Sequence, residues 1–309
     1  MKKFLPAYLI LFGLLIAACS GGATAQKDAG KQLPANVKEL VKELDQIIGN
    51  AKGRIGVSAL RMETNEEIAF RGDEHFPMQS VYKLPISMAV LKQIDDGKLT
   101  LEQKVRVEKK DFVRPGQRSP IRDKYPNGTE VTLKELMELA VSESDGTASD
   151  VLMDLAGGPA AIESYLKETG IGDISIANSE KEFAQDWQTQ YKNWATPKAA
   201  VALLRALHEG CGISPAHREL LLKFMIGSPT GPKRLKGLLP AGTVVAHKTG
   251  TSGSRDGITA ATNDIGIITL PNGKHFVIAV FVGDSPADEK TREETIARIA
   301  KAVWDKWNK

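Results

Sequence analysis

The chain carries a serine followed three residues later by a lysine, Ser80 and Lys83, at the start of a predicted helix over 84–91. Within a helical turn this spacing places the hydroxyl and the ammonium on one face. A lysine that is desolvated or near another cation gives up its proton more readily, so it can accept the serine proton and create a nucleophile. The pattern alone is weak evidence, because Ser164 and Lys167 share the spacing on what we interpret as a solvated helix face.

Two further polar runs follow the serine and lysine. Ser-Asp-Gly at 144–146 lies between an apolar run and the next predicted helix, where serine and aspartate commonly cap exposed amides. Lys-Thr-Gly-Thr at 248–251 ends a predicted strand, and the glycine would allow another backbone to approach closely. Each run is ordinary by itself, but their order and separation together indicate a site.

The elements that must position these residues are predicted at both ends of the chain, around a helical middle. Helical periodicity covers 36–49 and recurs near 296–303. Strands are predicted over 55–61, 67–71, 243–246, 259–270 and 274–282, and the Pro-Asn-Gly at 271–273 favours a hairpin. Between about 80 and 228 the pattern is mostly helical, with breaks at 114–116, 157–159 and 196–197. We therefore expect an α/β part assembled from both chain ends.

The first 19 residues read as a signal peptide, with two lysines before an apolar stretch that is too short for a stable spanning helix. The junction ending at Cys19 resembles a bacterial lipobox, in which that cysteine is lipidated. Ordinary cleavage after Ala-Thr-Ala at 23–25 is the alternative. Residues 20–35 would form a flexible tether. In either case we expect the protein in the periplasm, tethered to the membrane if Cys19 is lipidated.

Composition excludes several classes of function. Of 309 residues, 42% are hydrophobic and 26% charged, as in soluble globular proteins, and the net charge of +3 is too balanced for a nucleic-acid or anionic-membrane binder. The five histidines show no H-x-H or H-E-x-x-H spacing, and G-x-S-x-G is absent. With Cys19 in the leader, we expect no disulfide framework within the chain. We expect neither metal nor cofactor.

The three motifs together resemble those of class A serine β-lactamases and penicillin-binding proteins, and the chain resembles a class A β-lactamase over its mature length. Glu-Lys-Glu-Phe at 180–183 is similar to the E-x-E-L-N segment of that family's omega loop. Arg234 matches a substrate-binding arginine of part of the family. Gln79, Asp150 and the run 191–194 resemble the extended-spectrum PER-type branch.

This resemblance implies an α/β, three-layer serine β-lactamase fold, with an antiparallel sheet flanked by N- and C-terminal helices and an added all-helical domain. Residues 36–76 and 229–309 would form the α/β domain and 77–228 the helical domain, with the active site between them. It also implies a monomer that acts on small β-lactams, with no nucleic-acid partner and no membrane contact beyond a lipid anchor.

The family's catalytic roles carry over to matching positions. Ser80 would open the lactam ring, with Lys83, or Glu180 through a water, as the base, a choice that is disputed for the family. Ser144 would pass a proton to the departing nitrogen. Glu180 would also activate the water that releases the acyl-enzyme. Backbone N–H groups of Ser80 and Thr251 would form the oxyanion hole.

The substrate carboxylate would be held by cations and hydroxyls, because it is a fixed anion in a partly dry cleft. The residues implied are Lys248, Thr249, Thr251 and Arg234, with Gly250 in the same run. Two positions depart from the family pattern. Gly146 replaces an asparagine that contacts the substrate, and Ala184 replaces an asparagine that anchors the hydrolytic water.

The predicted function is therefore hydrolysis of penicillins and cephalosporins through a serine acyl-enzyme, which confers antibiotic resistance. A penicillin-binding DD-peptidase shares the three motifs but does not require Glu180. A penicillin sensor would bind covalently at Ser80 without turnover. Rapid hydrolysis of a chromogenic cephalosporin separates the first interpretation from the other two.

Overall fold

A computed structural model describes residues 35–183 and 185–308 of the protein. The predicted leader and tether, Cys19 and Ala184 lie outside the described residues. The α-helices in chain order are α1 Ala35–Asn50, α2 Lys83–Asp95, α3 Pro120–Lys124, α4 Leu133–Val141, α5 Gly146–Ala156, α6 Gly158–Glu168, α7 Glu180–Phe183, α8 Pro197–Glu209, α9 Pro215–Ile226 and α10 Glu289–Trp307. Short 3₁₀ helices span Gln79–Tyr82, Lys109–Asp111 and Trp187–Lys192.

The strands form one large antiparallel sheet and two small ones. In chain order they are β1 Arg54–Arg61, β2 Glu66–Phe70, β3 Phe76–Pro77, β4 Lys104–Val107, β5 Thr129–Thr132, β6 Ile174–Ser175, β7 Trp194–Ala195, β8 Val245–Thr251, β9 Ser254–Arg255, β10 Ile258–Thr269 and β11 His275–Ser285. The large sheet has the order β2-β1-β11-β10-β8, with β9 paired to β10. Its strands come from both chain ends, as predicted.

Helices cover both faces of the large sheet. Along β11, Ile278 packs in one core with Leu44 of α1 and Val303 of α10. Phe281, three residues further along the strand and so on the opposite face, packs in a second core with Leu204 of α8. Successive side chains of a strand point to opposite faces, so burial of both sets indicates a sheet between two helical layers. The predicted three-layer fold with terminal helices on one face is confirmed, while the domain boundaries stay a prediction.

The helical middle contains two small sheets that the sequence pattern did not indicate, β4–β5 and β3-β7-β6. The strands β3, β7 and β6 have two residues each, too few for a two-residue periodicity to appear, whereas β4 alternates exposed and buried residues over Lys104–Val107, a local signal that the helical interpretation missed. The predicted helix breaks at 157–159 and 196–197 are confirmed. Helix α5 ends before Gly157, which lies in the left-handed region, and Thr196 caps α8 by accepting from the Ala199 N–H.

Within the ranges 35–183 and 185–308, no helix combines the length and apolarity needed to span a bilayer.

Candidate active site

Ser80 lies in the 3₁₀ turn that leads into α2, and it lines a cavity of about 480 Å³. The preceding residue, Gln79, has a backbone φ of +48°, in the left-handed region that non-glycine residues rarely adopt. The Gln79 side-chain amide donates to Gln190 Oε1 at 2.7 Å, and both residues are buried. This bond ties the turn that carries the serine to the segment after α7. Strained backbone of this kind clusters at functional sites.

Lys83 is almost completely buried one turn after Ser80. Its Nζ donates to the backbone carbonyl of Ser144 at 2.8 Å and lies 2.9 Å from Glu180 Oε1. The lysine therefore joins three segments of the chain at one point. Burial of an ion pair is tolerated only when the attraction between the partners offsets the cost of removing them from water.

Ser144 is also held in the left-handed region, at a φ of +58°. Its Oγ accepts from Lys248 Nζ at 3.0 Å, which connects the second and third sequence motifs. The next residue, Asp145, is the N-cap of α5 and accepts from the Ala148 N–H at 2.9 Å. The capping role expected for this run thus belongs to the aspartate, which leaves the serine hydroxyl for the site.

Lys248 is fully buried on β8, the edge strand of the large sheet. Burial, reinforced by the nearby charge of Lys83, places the pKa of Lys248 well below its ordinary value. The glycine of the same run, Gly250, allows the strand to approach the nucleophile turn. A Cβ at this position would lie 2.3 Å from the carbonyl oxygen of Met78, so no other residue fits. The close backbone approach predicted for this glycine is confirmed.

Glu180 begins the short helix α7, which a single carboxylate of α5 anchors. Asp150 accepts from the backbone N–H of Glu180 at 2.7 Å and of Lys181 at 3.1 Å. The Gln117 side-chain amide donates to the Glu180 carbonyl. Burial raises the pKa of Asp150 to about 7, against the opposing effect of these backbone donors. The main chain at Glu180 is therefore fixed from two sides.

Arg234 is buried beside β8 and donates to four groups. Its Nε pairs with Glu293 Oε1 at 3.1 Å, and its Nη1 donates to the carbonyls of Gly250 and Asn263. Its Nη2 donates to Thr251 Oγ1 at 2.8 Å. The guanidinium therefore orients the Thr251 hydroxyl, and both Arg234 and Thr251 line the cavity.

The cavity gathers the predicted nucleophile, base and hydroxyls in one place. Predicted site residues that line it are Ser80, Lys83, Ser144, Glu180, Arg234, Thr249 and Thr251. Lys248 and Gly250 lie behind this wall on β8, and Gly146 lies behind it on α5. The arrangement supplies a hydroxyl beside two lysines and a carboxylate, which is suited to acyl transfer.

Gly146, the departure in the second motif, is packed closely. A Cβ there would approach the Glu180 Cγ, the Arg118 carbonyl oxygen and Val113 Cγ1 to 3.3 Å each. A larger side chain at this position would crowd Glu180, so the glycine permits the observed position of the Glu180 side chain. Ala184, the second departure, lies outside the described residues.

Several cavity residues received no role from the sequence. They are Gly116, Gln117, Arg118, Phe183, Trp187, Gln190, Thr230, Gly231, Ser252 and Gly253. The Thr230 and Thr249 hydroxyl oxygens lie 2.8 Å apart, so Thr230 extends the row of hydroxyls along β8. In the sequence, the position of Thr230 just before Gly231 and Arg234 could have indicated this role. Asp150 was noted only as a marker of the PER-type branch, although it follows Gly146 by one helical turn.

Comparisons with known proteins agree with this geometry. The model of the β-lactamase enzyme family matches residues 39–307. β-Lactamase VEB-1 of Pseudomonas aeruginosa is 41% identical over 88% of this chain and 91% of its own length. Extended-spectrum β-lactamase PER-1 of the same organism is 42% identical over 86% of each chain.

A solved β-lactamase structure from Chitinophaga pinensis superposes with a TM-score of 0.85 at 45% identity, over 86% of this chain and 98% of that one. The family match over residues 39–307 includes all three motifs. The chain belongs to the β-lactamase enzyme family, as a class A serine β-lactamase of the PER-type branch.

Proposed function

We propose that Ser80 is the nucleophile of this β-lactamase, Lys83 and Glu180 its bases, and Ser144 its proton relay. One observation carries this assignment: Lys83 Nζ bridges the Ser144 carbonyl and the Glu180 carboxylate in the same cavity as Ser80. A general base must lie within hydrogen-bond reach of the proton it moves, directly or through one water. That Lys83, Ser144 and Glu180 line the same cavity as Ser80 supports these roles.

In acylation, Ser80 Oγ bonds to the lactam carbonyl carbon, and its proton passes to Lys83 or, through a water, to Glu180. The carbonyl oxygen becomes an oxyanion, held by the backbone N–H groups of Ser80 and Thr251. The carbon–nitrogen bond then breaks, and Ser144 delivers its proton to the departing nitrogen and takes up in its place the proton that the base received from Ser80. The bond from Lys248 to Ser144 supports this relay, because it fixes the hydroxyl in the cavity wall.

In deacylation, Glu180 takes a proton from a water whose oxygen bonds to the acyl carbon. Ser80 Oγ leaves with a proton, and the ring-opened acid departs. Anchoring of the Glu180 main chain by Asp150 supports this role, because a base must keep one orientation over many turnovers.

Steady-state hydrolysis of a chromogenic cephalosporin by the purified protein tests the assignment as a whole. Many equivalents of product per protein are expected. A single stoichiometric burst without turnover would instead indicate a penicillin sensor, and slow release with transfer to a peptide acceptor would indicate a DD-peptidase. The Glu180 carboxylate in the cavity favours hydrolysis.

Arg234 is proposed to bind the substrate carboxylate together with Thr249 and Thr251. Lys248 contributes a positive charge behind them, and an incoming anion offsets the cost of burying that charge. PER-1 is named as an extended-spectrum β-lactamase, and this supports extending the proposal to a broad range of β-lactams. The working form is proposed to be a monomer, since one chain supplies every group named here.

Arg234→Ala is expected to raise KM for carboxylate-bearing substrates, by about 1–3 kcal/mol of binding free energy. The planar guanidinium donates to Thr251 Oγ1, so its removal also frees that hydroxyl. Steady-state kinetics with a penicillin and a cephalosporin measure the effect. Arg205→Ala, which breaks only an exposed i,i+4 pair with Glu209, is the matched control and should behave as wild type. An unchanged KM in Arg234→Ala would remove the arginine from substrate binding.

We further propose that the protein is a periplasmic lipoprotein anchored through Cys19, because the residues before this cysteine resemble a lipobox. Cys19→Ala is expected to move the protein from the membrane fraction to the soluble periplasmic fraction, since a lipid anchor would be lost. Fractionation and N-terminal sequencing measure this. A wild-type protein that is already soluble and starts at Gln26 would favour cleavage after Ala-Thr-Ala.

A further inference from the structure

The side chain of Asn263 joins the large sheet to the turn that carries Ser80. Asn263 lies on β10 and is only 1% exposed. Its Nδ2 donates to the backbone carbonyls of Pro77 at 2.8 Å and of Met78 at 3.2 Å. Because both partners are carbonyl oxygens, the nitrogen of the amide must face them, and this fixes the orientation of the side chain.

The Met78 carbonyl is part of the turn around Ser80. It also accepts from the Val81 N–H at 3.3 Å, and this bond closes the turn over residues 78–81. Inside the turn, Gln79 has the strained φ of +48°. Strained backbone persists only where the surrounding structure over-determines it. The Asn263 amide is one of the contacts that hold this turn.

The neighbouring strand makes room for the same carbonyl. Asn263 pairs with Gly250 of β8 in the register of the large sheet. Gly250 lies so close to the Met78 carbonyl that a Cβ would be 2.3 Å from its oxygen. The absence of a side chain at Gly250 therefore admits the turn, and the Asn263 amide holds it there. Two residues paired across β8 and β10 dock the turn on the sheet.

Space filling alone does not explain an asparagine at this position. The Asn263 Oδ1 is buried and, within residues 35–183 and 185–308, accepts no hydrogen bond. Burial of an acceptor without a partner costs free energy, which an apolar side chain would avoid. The two bonds donated by Nδ2 are what the amide provides in its place.

The docking has a consequence for catalysis, because the proposed oxyanion hole is divided between the two docked elements. One N–H belongs to Ser80 in the turn, and the other belongs to Thr251 at the end of β8. Such donors stabilise the developing charge only when both lie at hydrogen-bond distance from the oxyanion. The relative position of the turn and the strand therefore sets how well the hole works.

We propose that Asn263 is a positioning residue for the oxyanion hole, whose amide holds the turn against β8 so that both N–H groups reach one oxygen. The inference rests on the proposed roles of Ser80 and Thr251. Arg234 donates to the main-chain carbonyl of Asn263 and not to its side chain. A change of this side chain therefore leaves the arginine its partner, and the effect falls on acylation rather than on initial substrate binding.

Asn263→Asp keeps the shape of the side chain and replaces the donor with an acceptor. Stopped-flow kinetics with a chromogenic cephalosporin should show an acylation rate constant lower on the order of 10-fold to 100-fold. The dissociation constant of the noncovalent complex should stay near the wild-type value. Infrared difference spectra of the acyl-enzyme formed with a slow β-lactam should show the ester carbonyl stretch at higher frequency than in wild type, because its hydrogen bonds are weaker.

Two further variants separate this effect from a loss of stability. Since a buried carboxylate is itself costly, Asn263→Ala removes the same donor without adding a charge and should give the same two effects. Gln93→Glu is the matched control, because its amide donates to the Ala156 carbonyl at 2.7 Å and Gln93 is not among the described residues that line the cavity. Its acylation rate constant and carbonyl frequency should equal those of wild type. Thermal melts establish that each variant is folded at the assay temperature.

A folded Asn263→Ala with the wild-type acylation rate constant and carbonyl frequency would show that the residue serves stability alone, and the inference would be wrong. Noncovalent binding that weakens as much as acylation would indicate a general loosening of the cavity and would also contradict it. Both results leave hydrolysis through Ser80 intact. A wild-type protein that forms no ester carbonyl band would instead contradict the proposed function.

Discussion

Ser80→Ala is expected to abolish turnover, with a loss in kcat on the order of 10⁴–10⁶-fold, because it removes the hydroxyl proposed to form the acyl bond. The fold should be unaffected, since the serine side chain is partly exposed at the cavity surface. Hydrolysis of a chromogenic cephalosporin measures the loss. Intact-mass spectrometry with a slow β-lactam should show one adduct in wild type and none in the variant.

Ser164→Ala is the control for this experiment, because Ser164 and Lys167 have the same spacing as Ser80 and Lys83. In the structure, Ser164 is exposed on α6 and donates to Glu168 at 3.0 Å. Its replacement should leave the rate unchanged. Undiminished activity in Ser80→Ala would show that another residue is the nucleophile.

Glu180→Gln is expected to acylate and then stall, with a loss in turnover of about 10²–10⁴-fold. The amide cannot take a proton from the hydrolytic water, whereas Lys83 can still activate Ser80. The change also removes the carboxylate oxygen that lies 2.9 Å from Lys83 Nζ, so some slowing of acylation is expected as well. Rapid-mix kinetics should show a burst of about one equivalent and a long-lived adduct.

Glu182→Gln provides a matched change in the same helix α7. Glu182 is exposed, and its Oε2 accepts from the Ser179 N–H at 2.7 Å, a contact within its own turn. This variant should turn over nearly normally. A stalled Glu182→Gln beside a normal Glu180→Gln would transfer the role of base, and normal rates in both would leave the loop without one.

Residue patterns were sufficient to predict five of the six strands of the large sheet, but not the short β9 or the strand order. The apolar runs that became β10 and β11 flank a Pro-Asn-Gly turn, so strand, hairpin and partner were all visible locally. The short strands β6 and β7 were not visible. Each has two residues, and their pairing depends on tertiary contacts between segments about 20 residues apart.

The residues of the site also include some that local sequence patterns predict and others that they do not. Ser80 and Lys83 were predictable because three residues separate them, and helical geometry converts that spacing into proximity. Asp150 lies 30 residues from Glu180, and Arg234 lies 59 residues from Glu293. No local rule connects such pairs, because the whole fold brings them together. The sequence therefore indicated the reacting groups, while the residues that orient them required the structure.

Ser80 is proposed to form an acyl-enzyme, which Glu180 then releases. Intact-mass spectrometry of Glu180→Gln over a time course with a cephalosporin, followed by peptide mapping, tests it most directly. The account predicts one persistent adduct on the peptide that contains Ser80, where wild type under the same conditions shows only free protein and hydrolysed product. An adduct on another peptide, or a Glu180→Gln protein that clears its adduct as fast as wild type, would contradict the account.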